Sequence, residues 1–170
     1  MIDGYLNKLT DTLDKISRED IQKVSEIIED CKGQIFVFGN GGSATTASHF
    51  AQDMNKCVDS RFICLNDNVA SILAYANDSD FKNIFKLQLS KLIKPNDLVI
   101  GISCSGNSYN IIEAIVYAKH FGHPTISLTG FGGGQLKGLT EYNIHVPCND
   151  MQICEDCHLI ITHIIMKLLQ

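Results

Sequence analysis

Three stretches of this 170-residue chain carry side chains able to do chemistry. GNGGSATTASHFAQD, Gly39–Asp53, opens as a glycine turn and closes with His49 and Asp53 four residues apart. On a helix that interval puts imidazole and carboxylate on one face. There they can hold a divalent ion, flank a substrate, or form a plain surface pair. SCSGNS, Ser103–Ser108, sets three hydroxyls after an apolar run and before a helical one. Hydroxyl and amide donors at a helix start suit a phosphate dianion. ICEDCHLIITH, Ile153–His163, adds Glu155 and His163.

The first loop alone is ambiguous. The dinucleotide spacing G-x-G-x-x-G fails at Ala44, and no Gly-Lys-Ser/Thr closes a Walker loop. What remains is a tight turn with Ser43 placed to cap the next helix, which a simple strand–helix junction would also explain. Three serines within six residues exceed what capping requires. The two loops together point to a phosphate or sugar-phosphate site.

These groups need elements to hold them. Apolar residues at helical spacing over residues 1–31 predict two helices, or one broken near Ser17, with Ser17 capping the second. Strands are predicted at Gln34–Phe38, Arg61–Leu65, Asp97–Ile102, Pro124–Thr129 and Tyr142–Val146. Helices are predicted at Ser43–Lys56, Val69–Ala76, Phe81–Ile93, Tyr109–Phe121 and Asp150–Leu169. Strands alternating with helices imply a parallel sheet covered on both faces, with ligands at the carboxyl ends of the strands.

With 14 basic and 19 acidic side chains, the formal net charge of −5 argues against a nucleic-acid backbone partner. No apolar run reaches membrane-spanning length and no secretory pattern opens the chain, so the expected compartment is the cytoplasm. Seven cysteines without an export signal are expected as reduced thiols. Cys154, Cys157 and His158 spell C-x-x-C-H, but haem attachment needs an exported chain. Placed inside a helix, these thiols are expected to be core residues.

GNGGSxxxxxHFAxD, NDSDF, GISCSGNS and SLTGFGGGQLKGL, in that order, resemble the SIS (sugar isomerase) domain family, and within it the phosphoheptose isomerases. The resemblance implies a three-layer α/β/α sandwich of the α/β class, with a central, mainly parallel five-stranded sheet of flavodoxin-like type. It implies a single SIS domain over residues 1–170, with 1–31 as a helical arm and 32–170 as the phosphosugar-binding core. It implies a homotetramer with active sites between subunits. The phosphate site would draw on Asn40, Gly41, Gly42, Ser43, Ser103, Cys104, Ser105 and Ser108, with Asp78 and Glu155 toward the sugar. By the same resemblance zinc would be held by His49, Asp53, Glu155 and His163, with Asp53 as base and His163 as its acid–base partner.

The reaction implied is aldose–ketose isomerisation of a phosphorylated sugar through an enediol, with sedoheptulose 7-phosphate as substrate and no nucleotide cofactor. Its product would feed lipopolysaccharide or capsule synthesis. The family also admits a non-catalytic module that binds a sugar phosphate or a partner protein such as a replication initiator. Four positions depart from the family pattern. Asp53 stands for glutamate, Glu155 for glutamine and Cys104 for threonine, and Cys57 falls where the family has arginine. Eight residues of helix separate Glu155 from His163 by ~12 Å of rise and about 80° of rotation. The two converge on one ion only if Glu155 reaches forward and His163 leans back.

Overall fold

A computed structural model describes residues 1–170. Five strands form one sheet: β1 (Ile35–Gly39), β2 (Phe62–Cys64), β3 (Leu98–Ser103), β4 (Thr125–Thr129) and β5 (Tyr142–His145). Every pairing is parallel and the order is β2-β1-β3-β4-β5, the flavodoxin-like order. Every residue of β1, β3 and β4 is buried. That is why these strands read as unbroken apolar runs rather than alternating ones.

Alternation persists in where the side chains go. Ile35 and Val37 join one core layer, while Phe36 and Phe38 join the other. On the first face lie α1 (Ile2–Leu13), α2 (Arg18–Asp30), α3 (Gly42–Cys57) and α8 (Met151–Leu169). On the second lie α4 (Val69–Asp78), a 3-10 turn (Phe81–Asn83), α5 (Ile84–Leu92), α6 (Tyr109–His120) and the single turn α7 (Leu136–Leu139). The two N-terminal helices do not stand free. Both pack on α8, and Ile16, Ile21, Val24 and Ile28 are buried in the first core layer. Ser17 caps α2 by accepting the Asp20 N–H at 3.1 Å, between the buried Ile16 and Ile21.

Two expectations shift. The cap of α3 is Gly41, in the left-handed region at φ 54°, and Ser43 is the second residue of the helix, with its hydroxyl in the cavity wall. The expected helix over 81–93 starts as a 3-10 turn, because the Asp80 carboxylate accepts the Lys82 N–H. The glycine tract after β4 contains α7, anchored by the fully buried Leu136. The starts of β1 and β3 are tied by Asp97, whose carboxylate accepts the Gln34 and Lys94 N–H groups, each at 2.7 Å.

Strand order reverses between β1 and β3, so the loops leaving these two strands splay to opposite faces and open a crevice between them. The Gly39–Ser43 and Ser103–Ser108 stretches are those two loops.

Candidate active site

At the switch point Asn40 and Ser43 meet Ser103, Cys104, Ser105 and Ser108 around a cavity of about 120 Å³. Ser103 is the hub. Its Oγ lies 3.3 Å from Ser108 Oγ and 3.5 Å from Ser105 Oγ, and it accepts the Gly106 N–H at 3.2 Å. Ser108 heads α6 without spending its hydroxyl on a cap, and that hydroxyl faces Ser103 in the cavity wall instead. The cavity therefore offers hydroxyl donors at a helix start, the arrangement a phosphate dianion selects.

Two asparagines hold the loops in place. Asn110, near the start of α6, exchanges hydrogen bonds with Asn40 at 2.8 and 2.9 Å. Asn66 does the same with the backbone of Gly39, donating at 2.9 Å and accepting at 3.1 Å. Neither role was legible in the sequence, because each partner lies far away along the chain. For Asn110 the signal available was an amide on the inward side of a helix directly behind the serine loop; it is 2% exposed.

The second cluster lies where α3 packs against α8. His49 Nε2 is 3.2 Å and His163 Nε2 3.6 Å from Asp53 Oδ2, and the two imidazole nitrogens are 3.1 Å apart. Ligands ~2.0–2.1 Å from a tetrahedral zinc stand ~3.3–3.4 Å from one another. These three donors, two imidazoles and a carboxylate, therefore fit one such ion and would leave its fourth position open.

Glu155 does not join them. Helix α8 runs unbroken from Met151 to Leu169, so the rise and rotation separating residues 155 and 163 remain in force. The Glu155 carboxylate instead packs on the start of α3 and lines the serine cavity. A Cβ on Gly42 would come within 2.4 Å of it, so the Glu155 carboxylate lies directly against the start of α3. Asp78 is not at the cavity in this chain. It is exposed at the end of α4, accepting a hydrogen bond from Asn77.

All seven cysteines are free thiols. Cys154, Cys157 and His158 are wholly buried, as expected of core residues. Burial pushes the Cys157 thiol up to about 12 and the His158 imidazole down to about 4. The neighbouring Cys154 thiol and burial hold the Cys104 thiol above its ordinary range.

The largest cavity, about 950 Å³, opens at the opposite end of the strands beside Lys23, Lys94 and His123. The C-termini of α2, α5 and α6 converge there. Their partial negative charge accounts for the lysines and disfavours an anion, so the smaller serine cavity is the phosphate candidate.

An all-parallel sheet in this order, with two serine-bearing loops at its switch point and a His–Asp–His cluster two turns further along α3, makes this a flavodoxin-like α/β domain with a candidate site at the carboxyl ends of its strands. The sequence model of the SIS domain family matches residues 4–130. The probable phosphoheptose isomerase of Thermoplasma acidophilum is 40% identical over 141 residues, covering 80% of this chain and 78% of that protein. The phosphoheptose isomerase of Thermodesulfovibrio yellowstonii is 39% identical over 158 residues, covering 88% and 79%. The solved phosphoheptose isomerase of Neisseria gonorrhoeae superposes with a TM-score of 0.94 at 28% identity, over 99% of this chain and 97% of that one. The chain belongs to the SIS domain family, and within it to the phosphoheptose isomerases.

Proposed function

We propose that the protein interconverts sedoheptulose 7-phosphate and D-glycero-D-manno-heptose 7-phosphate, binding phosphate in the serine cavity and moving protons at the His49–Asp53–His163 cluster. The observation that carries this is the spacing along α3. Ser43, in the cavity wall, precedes His49 by six residues and Asp53 by ten, which is ~9 Å and ~15 Å of helix. An extended chain advances ~1.2 Å per bond. From C2 of a seven-carbon sugar to the phosphorus of its 7-phosphate is thus ~8 Å by the same arithmetic. Side chains reaching inward close the remainder, whereas a triose phosphate is too short. The names of the matched isomerases select the seven-carbon sugar.

The chemistry is a proton transfer between neighbouring carbons. Asp53 Oδ2 faces both imidazoles, leaving Oδ1 outside those contacts. Asp53 removes a proton from C1 while His163 delivers one to the C2 carbonyl oxygen, giving the enediol. Asp53 then returns its proton to C2 as His163 takes the proton from O1, giving the aldose. Zinc held by His49, Asp53 and His163 would supply Lewis-acid polarisation of the carbonyl oxygen when bound. No nucleotide takes part.

The unit is one SIS domain over residues 1–170 in a cytoplasmic homotetramer with sites between subunits. Its support is apolar surface without a cover. No residue of α4 is buried, and Val69, Leu73 and Phe81 on one side and Leu168 on the other are exposed. Asp78 would then serve a neighbouring copy. The acid–base cluster favours an enzyme over a sugar-phosphate-binding module, which would not need it. Following sedoheptulose 7-phosphate by NMR, with and without added zinc, tests the reading. An aldose signal is expected, and phosphate binding without any turnover would overturn it.

Glu155 adds a separate expectation. Its carboxylate lines the cavity that would receive a phosphate. Like unit charges about 4 Å apart oppose each other by ~1 kcal/mol even at the dielectric of bulk water. Glu155→Gln should therefore tighten binding of inorganic phosphate on the order of fivefold in titration calorimetry. Unchanged or weaker binding would show that Glu155 does not oppose the phosphate.

A further inference from the structure

Behind the serine cavity a short row of polar groups runs back into the core. Ser43 Oγ lies in the cavity wall and takes no part in capping α3; its hydrogen-bond neighbour is Cys104 Sγ, 3.9 Å away. On the core side of that sulfur stands His158 of α8, with Nδ1 3.8 Å from it. Ser43, Cys104 and His158 are all buried, the imidazole completely, and they link α3, the loop after β3 and α8. His158 is outside the His49–Asp53–His163 cluster and has no part in the proton transfer. Its other ring nitrogen, Nε2, is buried without any hydrogen-bond partner. The Thr129 carbonyl beside the ring accepts the Val146 N–H instead, at 2.8 Å.

The orphaned nitrogen decides where the ring proton sits. Burial keeps the imidazole neutral, so it carries a single N–H. On Nε2 that proton would be a buried donor with no acceptor, a defect folded proteins rarely tolerate. On Nδ1 it meets Cys104 Sγ, and Nε2 is left as a bare acceptor, the more tolerable defect. The order of donors follows from that end. Nδ1–H donates to Cys104 Sγ, the S–H donates to Ser43 Oγ, and the Ser43 O–H is left facing the cavity. Sulfur makes weak hydrogen bonds, but bonds in a row polarise one another. A phosphate monoester dianion has only acceptors, so a serine hydroxyl serves it only with the hydrogen turned outward. We propose that His158 is a positioning residue for the phosphate: acting through Cys104, it holds the Ser43 hydroxyl as a donor aimed into the cavity. This role rests on phosphate binding in the serine cavity and is independent of turnover.

The first test uses the unaltered protein. Long-range proton–nitrogen NMR of histidine-labelled protein at neutral pH should place the His158 proton on Nδ1, the signal being assigned by its absence from His158→Asn. A proton on Nε2 would overturn the proposal. The second test is affinity. His158→Leu removes the first donor and should weaken inorganic phosphate about threefold to tenfold in calorimetry, the worth of one neutral hydrogen bond. Turnover at saturating sugar phosphate should change less. His158→Asn, whose amide donates from near the Nδ1 position, should recover most of the lost affinity. In a Ser43→Ala background His158→Leu should weaken phosphate no further, because the hydroxyl it positions is gone. Losses that multiply in the double variant, or no recovery in His158→Asn, would show that His158 acts through packing alone and would overturn its positioning role. Ser43→Ala with unchanged phosphate affinity would fault the cavity itself as the phosphate site. A proton on Nε2 beside a weakened Ser43→Ala would fault only the row behind it.

Discussion

His163→Ala is expected to lower turnover of the sugar phosphate ~10²–10⁴-fold, the usual worth of a positioned acid–base group, while phosphate affinity stays within about a factor of two. The imidazole is 3.6 Å from the Asp53 carboxylate and 3.1 Å from His49, so its loss strips the cluster of one of three members. Its side chain is 44% exposed, and truncating an exposed side chain costs the fold little. The serine cavity meets α8 at Glu155, eight residues earlier and ~12 Å away along the helix. Sites that far apart act independently to within a few tenths of a kcal/mol. Steady-state assays would supply kcat, calorimetry with inorganic phosphate would supply Kd, and elemental analysis would show whether metal left with the imidazole. Equal loss of turnover and phosphate affinity would remove His163 from its assigned role.

The strands and the gathering of the serines at one strand end were legible because their signals are local. A parallel strand buried on both faces has to be apolar throughout, and Ile35–Phe38 and Leu98–Ile102 are. Hydroxyls crowd a strand end only where something must be hydrogen-bonded, which Ser103, Ser105 and Ser108 announce without any partner in view. What escaped is what depends on distant chain. Asn110 matters because Asn40, 70 residues earlier, meets it, and Asn66 because it braces Gly39 across 27 residues. Helix α7 hides in a glycine tract whose composition signals a turn, and burial of Leu136 sets it. For Glu155 the sequence held both answers. The resemblance grouped it with His163, while helix geometry kept it apart, and in this chain the geometry prevails.

Ser103→Ala should do the reverse of His163→Ala, weakening inorganic phosphate about tenfold to a hundredfold while kcat at saturating sugar phosphate changes much less. The Ser103 hydroxyl is 4% exposed and holds together three elements of the cavity: the Ser105 and Ser108 hydroxyls and the Gly106 N–H. Alanine removes one donor to the dianion, worth ~1.5–3 kcal/mol as a charge-assisted bond, and leaves the other two hydroxyls free to turn away. The contact is remote from the reacting carbons and equally strong in the ground and transition states, so its loss raises KM rather than lowering kcat. Folding stability should fall by only ~1 kcal/mol, because the deleted group bonds to a neighbouring loop and not across the sheet. Calorimetry and steady-state kinetics on the same preparation separate these quantities. An unchanged phosphate Kd would show that the serine-lined cavity is not where the dianion sits. A matched pair of variants, one losing affinity at the end of β3 and one losing turnover on α8, would divide the site into the two halves that the spacing along α3 predicts.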